Sequence, residues 1–403
     1  MTKLKLIRVT TVPISLDKLL SGQLRFMNSY YEVIAVSSEK KYLEKIGIKE
    51  NVRTYPLEMS RKITPFRDFL AVAKLFLFLR KEKPFIIHTH TPKAGIVGML
   101  AGKLAGVPNR FHTVAGMPLL ESTGLKRRVL DFVEKLTYAC ATKIYPNSNG
   151  LATIILESNY CKATKLKVLA NGSSNGIDTN YFNASFFSEE ENAALRQRLQ
   201  IEENDFVFIF IGRLVVDKGI NELVAAFEAL RLFDPSTSSE QAKLRAGETQ
   251  GDNSALNCKL LLVGDYEADL DPLSAKTLGI IQNNRNIISV GFQSDVRPYL
   301  ALSDALVFPT YREGFPNVVM QAGAMGLPSV VTNINGCNEI IIEGENGIII
   351  PVKDKEALEE SMRLLLKDTA LTNKLKEKAR RMIVNRYEQQ LVWEAILKEY
   401  ELG

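Results

Sequence analysis

Short apolar runs alternate with longer amphipathic stretches along most of this chain. "LKLIRVTT", "YEVIAVSS", "FIIHTH" and "KIYPNS" have the length and hydrophobicity of buried strands, and helical patterns such as 68–80 and 126–140 separate them. The rhythm restarts at "FVFIFIGR" (206–213) and continues through "KLLLVG", "NIISVGF", "DALVFPT" and "PSVVTN". Alternation of this kind predicts an α/β protein with mostly parallel sheets covered by helices on both faces, and the restart predicts two doubly wound domains. "LANGSSNGIDTNYFN" (169–183), rich in Gly, Asn and Ser, reads as a hinge. The expected domains are therefore 1–175 and 176–385, with a C-terminal helix at 386–403 packing back on the first. "DPSTSSEQAKLRAGETQGDNSALN" (234–257) reads as a polar surface insertion.

Composition adds limits to this picture. With 403 residues, 46% hydrophobic and 24% charged, the chain can build two real cores. The start "MTKLKLIRVTTVP" alternates like a strand and lacks the apolar stretch of a signal peptide. "FLAVAKLFLFLR" (69–80) is too short to span a membrane and contains Lys74, so a core-facing helix is expected. The four cysteines follow neither metal-site nor disulfide spacing, which fits a reducing cytoplasm. Charge is uneven: residues 1–180 hold 28 Lys and Arg against 13 Asp and Glu, a balance of +15, while the remainder holds 23 against 33, or −10. A basic domain suits anionic lipid, polyphosphate or nucleic acid. Nucleic acid is the weaker reading, since there is no helix-turn-helix, zinc-finger or aromatic-basic RNA motif.

Candidate chemistry falls where strands end, as ligands of open α/β sheets do. In "IGRLVVDKG" the strand closes at Gly212, and Arg213 and Lys218 lie in the loop before a helix near Gly219. No G-x-G-x-x-G or G-x-x-x-x-G-K-S/T pattern is present, so neither a dinucleotide fingerprint nor a P-loop is indicated. Two cations in one strand-to-helix loop are either solvated surface charge or a diphosphate clamp. In "PTYREGFPNVVMQAGAMG" (309–326), Gly314 and Pro316 break any helix, which predicts a start with Asn317 as N-cap and Val318 and Val319 in the first turn. Such a terminus favours a phosphate. Glu313, an acceptor just ahead of it, suits sugar hydroxyls; alternatively it is an ordinary acid beside a helix start, with Gln321 a surface amide.

Taken together, "GRLVVDKG" and "EGFPNVVMQAGAMGLPSVVT" resemble the retaining nucleotide-sugar glycosyltransferases of family 4, with the two-domain GT-B fold. The resemblance covers nearly the whole chain and is strongest over 205–350. It implies two Rossmann-like domains facing across a cleft, an N-terminal acceptor domain and a C-terminal donor domain. It implies that Arg213 and Lys218 hold the donor diphosphate without a metal or other cofactor. Glu313 would contact the donor sugar, which the turn Gly314, Phe315, Pro316 and Asn317 positions, and the Val318 and Val319 N–H groups would face phosphate. Phe292 in "VGFQSDV" would lie beside the base, a uridine by family frequency. The family has a second Glu where this chain has Gln321; an amide there still accepts a ribose hydrogen bond, with less charge assistance.

The N-terminal half departs further from the pattern. The Gly-Gly loop after the first strand is missing, with only Gly22 later, and the Thr-x-His-Gly stretch is replaced by "HTVAG", with Ala115 at the His position. His112 at a strand end remains the candidate catalytic histidine, against a structural one. His88 and His90 are expected to point to opposite faces of a strand and so not to share a metal. "HTHTPKAGIVGMLAGKLAGV" and "HTVAGMPLLESTGLKRR" resemble bacterial members that build capsule, O-antigen or protein-linked glycans on a polyprenyl diphosphate carrier. Lys126, Arg127 and Arg128 would then meet the carrier diphosphate or anionic headgroups at the inner face of the cell membrane, or simply be a solvated helix start. Implied is front-side transfer with retention, completed by domain closure. The alternatives are a nucleotide-sugar epimerase of the same architecture and a weakly catalytic nucleotide-binding scaffold.

Overall fold

The computed structural model describes residues 3–232, 257–267 and 271–402. Apart from Asn257, the expected insertion lies outside them. The chain divides into two compact units, Met1–Gly176 with Tyr387–Gly403, and Ile177–Arg386.

In the first unit six strands, β1 (Lys5–Val9), β2 (Glu32–Ser37), β3 (Arg53–Pro56), β4 (Ile86–Thr89), β5 (Asn109–Val114) and β6 (Lys143–Pro146), pair in parallel in the order β3-β2-β1-β4-β5-β6. Successive residues alternate faces. Leu6 therefore joins one core and Ile7 the other. Helices α1 (Pro13–Leu19), α2 (Gln23–Asn28) and α3 (Lys40–Glu50) cover the Leu6 face. On the Ile7 face lie α4 (Pro65–Glu82), α5 (Pro92–Ala105), α6 (Gly124–Cys140) and α7 (Asn149–Glu157). The run "FLAVAKLFLFLR" is core-facing through Ala71, Leu75 and Leu79.

The second unit repeats the design. α8 (Glu189–Arg198) starts with a reciprocal Ser188–Glu191 capping box. There follow β7 (Phe206–Ile211), α9 (Ile220–Leu232), β8 (Cys258–Val263), α10 (Ala275–Asn283), β9 (Ile287–Ser289), α11 (Arg297–Ala301), β10 (Ala305–Phe308), α12 (Asn317–Ala324), β11 (Ser329–Thr332), α13 (Cys337–Ile340), β12 (Gly347–Ile350), α14 (Lys355–Lys367) and α15 (Thr369–Tyr387). The sheet order is β12-β11-β10-β7-β8-β9, again parallel. In both sheets the order reverses between two central strands, β1 with β4 and β7 with β10, and the loops that leave them diverge to opposite faces. A crevice opens at such a switch point beyond the strands' carboxyl ends.

The chain then returns to the first unit as α16 (Gln389–Glu401). Val392, Ile396, Leu397 and Tyr400 of this helix join the core of Leu6, Ile86, Phe111 and Tyr145. A buried polar network completes the seat. Arg8, fully enclosed on β1, donates to the Tyr400 hydroxyl and to Gln23. The Tyr400 hydroxyl also pairs with His88 Nδ1, and His88 Nε2 with Thr113 Oγ1 at 2.7 Å. His88 and His90 do not face opposite sides: residues two apart in extended chain share a face, and their rings lie 4.2 Å apart. Burial first, then nearby positive charge from Arg8 and the other histidines, holds both well below the usual histidine range.

Candidate active site

The loops leaving β7 and β10 meet at the switch point of the second sheet. β7 is apolar on both faces up to Ile211, then Gly212 leads through Arg213 to a 3₁₀ turn at Val216–Lys218. Gly219 follows with φ +70°, and a Cβ there would lie 2.1 Å from the Pro309 carbonyl oxygen. Only glycine lets the two loops approach this closely. Their contact is then sewn together by polar bonds. The Tyr311 N–H donates to the Asp217 carbonyl at 2.9 Å, and the Arg312 guanidinium to the Asp217 carboxylate at 2.8 Å. Lys218 Nζ donates to Glu313 Oε1 at 2.6 Å and lies 3.5 Å from Thr310 Oγ1. The Lys218 and Glu313 side chains are only 14% and 23% exposed, whereas Arg213, paired with Glu267 at 2.9 Å, is 48% exposed.

Past Glu313 the turn is held from behind. Asn335 Nδ2 donates to the Gly314 carbonyl at 2.7 Å, and Phe315 and Val319 are buried anchors. Gly336 has φ +78°, and a Cβ there would lie 2.5 Å from the Gly314 oxygen. The helix α12 starts one residue earlier than expected: Pro316, extended at φ −75° and ψ 112°, occupies the cap position, and Asn317 is already helical. No side chain caps it. Helix geometry leaves the Asn317, Val318 and Val319 N–H groups without intrahelical partners, a positive end suited to an anion. Gln321 lies one turn inside, half-buried. Phe292, after β9, is 70% exposed, and its N–H donates to the Asp265 carboxylate at 3.0 Å. Gly212, Arg213, Lys218, Phe292, Glu313 and the 314–319 turn thus share the carboxyl edge of one sheet. Burial, and next the charge of Glu313, push the Cys337 thiol far up, so it stays a neutral packing group.

The first-unit candidates divide differently. His112 is not at a strand end; it is the fourth of six residues in β5, 3% exposed. Its Nδ1 pairs with Thr89 Oγ1 at 2.7 Å, and the ring packs directly under Gly95 of α5. Burial lowers its pKa to about 4. A ring enclosed in this way packs as a neutral structural histidine. Of the basic cluster that opens α6, Lys126 and Arg128 are exposed, but Arg127 is turned inward to Asp131 at 2.8 Å and to the Tyr160 hydroxyl at 3.3 Å.

Residue-by-residue reading missed the partners that position the cations: Asp217 and Arg312 between the two loops, Glu267 on Arg213, Asn335 behind Gly314, and Asp265, which also bonds Leu214 through its carbonyl at 2.9 Å. Asp265 and Glu267 follow strand β8, so the strand-end rule marks their loop. Among the described residues no group of three His, Cys, Asp or Glu side chains is placed to hold a metal, and no helix is long and apolar enough to cross a membrane.

Comparison with known proteins covers both units. The family model for glycosyl transferases group 1 matches 191–382, the unit holding the site, and that for the glycosyl transferase 4-like domain matches 31–172. The Staphylococcus aureus capsular polysaccharide biosynthesis glycosyltransferase CapM is 31% identical over 98% of this chain and 96% of its own. The chain belongs to this glycosyltransferase family. An Escherichia coli relative, UDP-Gal:alpha-D-GlcNAc-diphosphoundecaprenol alpha-1,3-galactosyltransferase, is 28% identical over 81% of this chain and 78% of its own. Anabaena HepE, solved with UDP and glucose, is 17% identical and superposes with a TM-score of 0.77 over 99% of this chain and all of that one. That likeness bears on the fold, which is GT-B. For a glycosyltransferase, transfer replaces the epimerase and scaffold readings.

Proposed function

We propose that this glycosyltransferase moves a sugar, with retention of configuration, from a uridine diphosphate sugar to a saccharide on a polyprenyl diphosphate, in cell-surface polysaccharide synthesis at the inner face of the membrane. The observation that carries this reading is the Lys218–Glu313 pair, partly buried at the switch point beside Arg213 and the open terminus of α12. The names of the S. aureus and E. coli relatives support the polysaccharide and lipid-diphosphate parts of it.

Each group then has a task. Arg213 exchanges Glu267 for the donor diphosphate, Lys218 neutralises the charge that grows as the sugar–oxygen bond breaks, and the α12 N–H groups receive the phosphate. Glu313 accepts hydrogen bonds from sugar hydroxyls, Phe292 flanks the uracil, and Gln321 accepts from the ribose. The acceptor hydroxyl bonds to the anomeric carbon on the face the diphosphate leaves, and its proton passes to a diphosphate oxygen, giving UDP and a glycoside of unchanged configuration. These fixed cations supply the positive charge without a metal.

The test is acceptor-dependent release of UDP across a panel of nucleotide sugars with short polyprenyl-diphosphate mono- and disaccharides. Release with one pair, and a heavier lipid product whose new linkage keeps the donor's anomeric configuration, is expected. An isomerised free nucleotide sugar, or no acceptor dependence, refutes the proposal.

A further inference from the structure

Two helices of the first unit carry apolar side chains on the wrong side. On α4 the stripe Ala71, Leu75, Leu79 faces the core, yet Phe66, Phe69, Leu70 and Leu77 are 75%, 69%, 43% and 66% exposed. These four recur at the three- and four-residue steps of one outward face. α6 repeats the arrangement: Leu125, Val129 and Phe132, at positions i, i+4 and i+7, are 77%, 43% and 66% exposed, while Thr137, Tyr138 and Cys140 are buried. Scattered exposed apolar residues are ordinary; outward stripes on the two helices that flank α5 are not.

The fold places these stripes at one edge. α4, α5 and α6 connect parallel strands on the same face of the sheet, so each starts at the strands' carboxyl edge. α5 packs against both neighbours, and Lys93 in its first turn pairs with Asp68 in the first turn of α4. The exposed aromatic residues concentrate in the starting halves of α4 and α6.

Charge decides what covers them. Arg61, Lys62, Arg67 and Lys74 are exposed along α4 and its approach, and Lys126, Arg128 and Lys135 along α6. Glu58 on the approach to α4 is exposed, but the acids in the first halves of the two helices are spent internally: Asp68 on Lys93 and Thr64, Asp131 on Arg127 and Tyr160. Glu134 is pushed up to about 7 by burial, so much of its charge is absent at neutral pH. Aromatic and aliphatic side chains interleaved with exposed cations are the chemistry of an anionic lipid–water interface, where rings enter the acyl boundary and cations meet headgroups. A second copy of the chain would bring the same cations face to face.

We infer that the outward faces of α4 and α6 form one membrane-docking surface that inserts Phe66, Phe69, Leu125 and Phe132 into an anionic leaflet. This rests on the lipid-linked acceptor proposed above and names the surface that would bring the carboxyl edge of the first sheet to it. Arg127, committed to Asp131, takes no part.

The test is flotation of the full chain with vesicles of phosphatidylglycerol and phosphatidylcholine, or of phosphatidylcholine alone. Binding to the anionic vesicles is expected, with Phe66→Ser/Phe69→Ser and Leu125→Ser/Phe132→Ser each weakening it about tenfold or more. Arg67→Glu/Lys74→Glu should lower binding to anionic vesicles and leave the weak binding to phosphatidylcholine unchanged. UDP binding by calorimetry and the circular-dichroism melt should be unaltered in all three, showing that both units fold. Vesicle binding unchanged in both apolar double variants overturns the inference. So does a vesicle-free dimer of the parent chain that these variants dissolve, since a second copy would then cover the face. Absence of sugar transfer with vesicle binding intact would strike the proposed reaction alone.

Discussion

Replacing Lys218 by Met keeps most of the side chain's length and removes its charge, which isolates one term of the proposed chemistry. The ammonium lies 2.6 Å from Glu313 and is 14% exposed, so the change acts on stability as well as on rate. The pair's bare attraction is about 2 kcal/mol in water and about 6 at an effective dielectric near 20. Desolvation consumes much of this, and Glu313 remains partly hydrated once alone, so the net loss of stability should be about 1 to 2 kcal/mol. That lowers Tm by a few degrees in a unit of this size. The effect on turnover should be larger, because charge on the departing diphosphate grows towards the transition state: about 100- to 1,000-fold in kcat, or about 3 to 4 kcal/mol. UDP, already charged in the ground state, should bind about tenfold more weakly. Steady-state UDP release, calorimetry with UDP and a thermal melt separate the three quantities. A kcat within about threefold of the parent's, with the melt displaced as described, would refute placement of the diphosphate at Lys218.

Gln321→Glu should tighten UDP about three- to tenfold at low salt, since an ionised acceptor makes the stronger hydrogen bond; unchanged or weaker binding by calorimetry would remove this side chain from the ribose. His112→Ala should cost about 2 to 4 kcal/mol by opening a cavity beneath Gly95 and unpairing Thr89, while folded enzyme keeps near-normal kcat; a thousandfold fall in kcat with an unmoved melt would restore a catalytic role. The three histidines also set a pH dependence. Their folded pKa values are depressed, His112 to about 4, so below the unfolded value of about 6.5 the unfolded chain binds more protons and stability falls with pH, by up to about 1.4 kcal/mol per unit per histidine. Urea midpoints should drop between about pH 7 and 5, and His112→Ala should flatten part of that slope; a flat parent profile would contradict neutral burial.

The donor site was legible because its chemistry is local. Arg213 and Lys218 lie in one loop, Glu313 to Val319 in another, and each loop follows an apolar strand whose end a sequence pattern can place. What the pattern does not show is that the carboxylate of Asp217 and the guanidinium of Arg312, 95 residues apart, bind the two loops into one surface. The start of α12 was misplaced by a residue for a related reason. Asn is a strong cap in isolation, but Pro316 is already extended, and its backbone takes the cap position without a side-chain bond.

The first unit was less legible because its chemistry is non-local and its histidines are misleading in a linear reading. Arg8 and Tyr400 are 392 residues apart in the chain and in contact in the fold. A histidine read at a strand end, His112, suggests catalysis, yet burial makes it a spacer under α5, and His88 a bridge between α16 and β5. The apolar run 69–80 misled in the opposite direction: Val72, Phe76 and Phe78 pack beside the core stripe, but Phe69, Leu70 and Leu77 face outward beside exposed cations. A helix whose interior demand is met by Ala71, Leu75 and Leu79 has no folding reason to expose Phe66 and Phe69. Those residues therefore point to a surface outside the fold, while the second unit's polar residues point to a ligand within it.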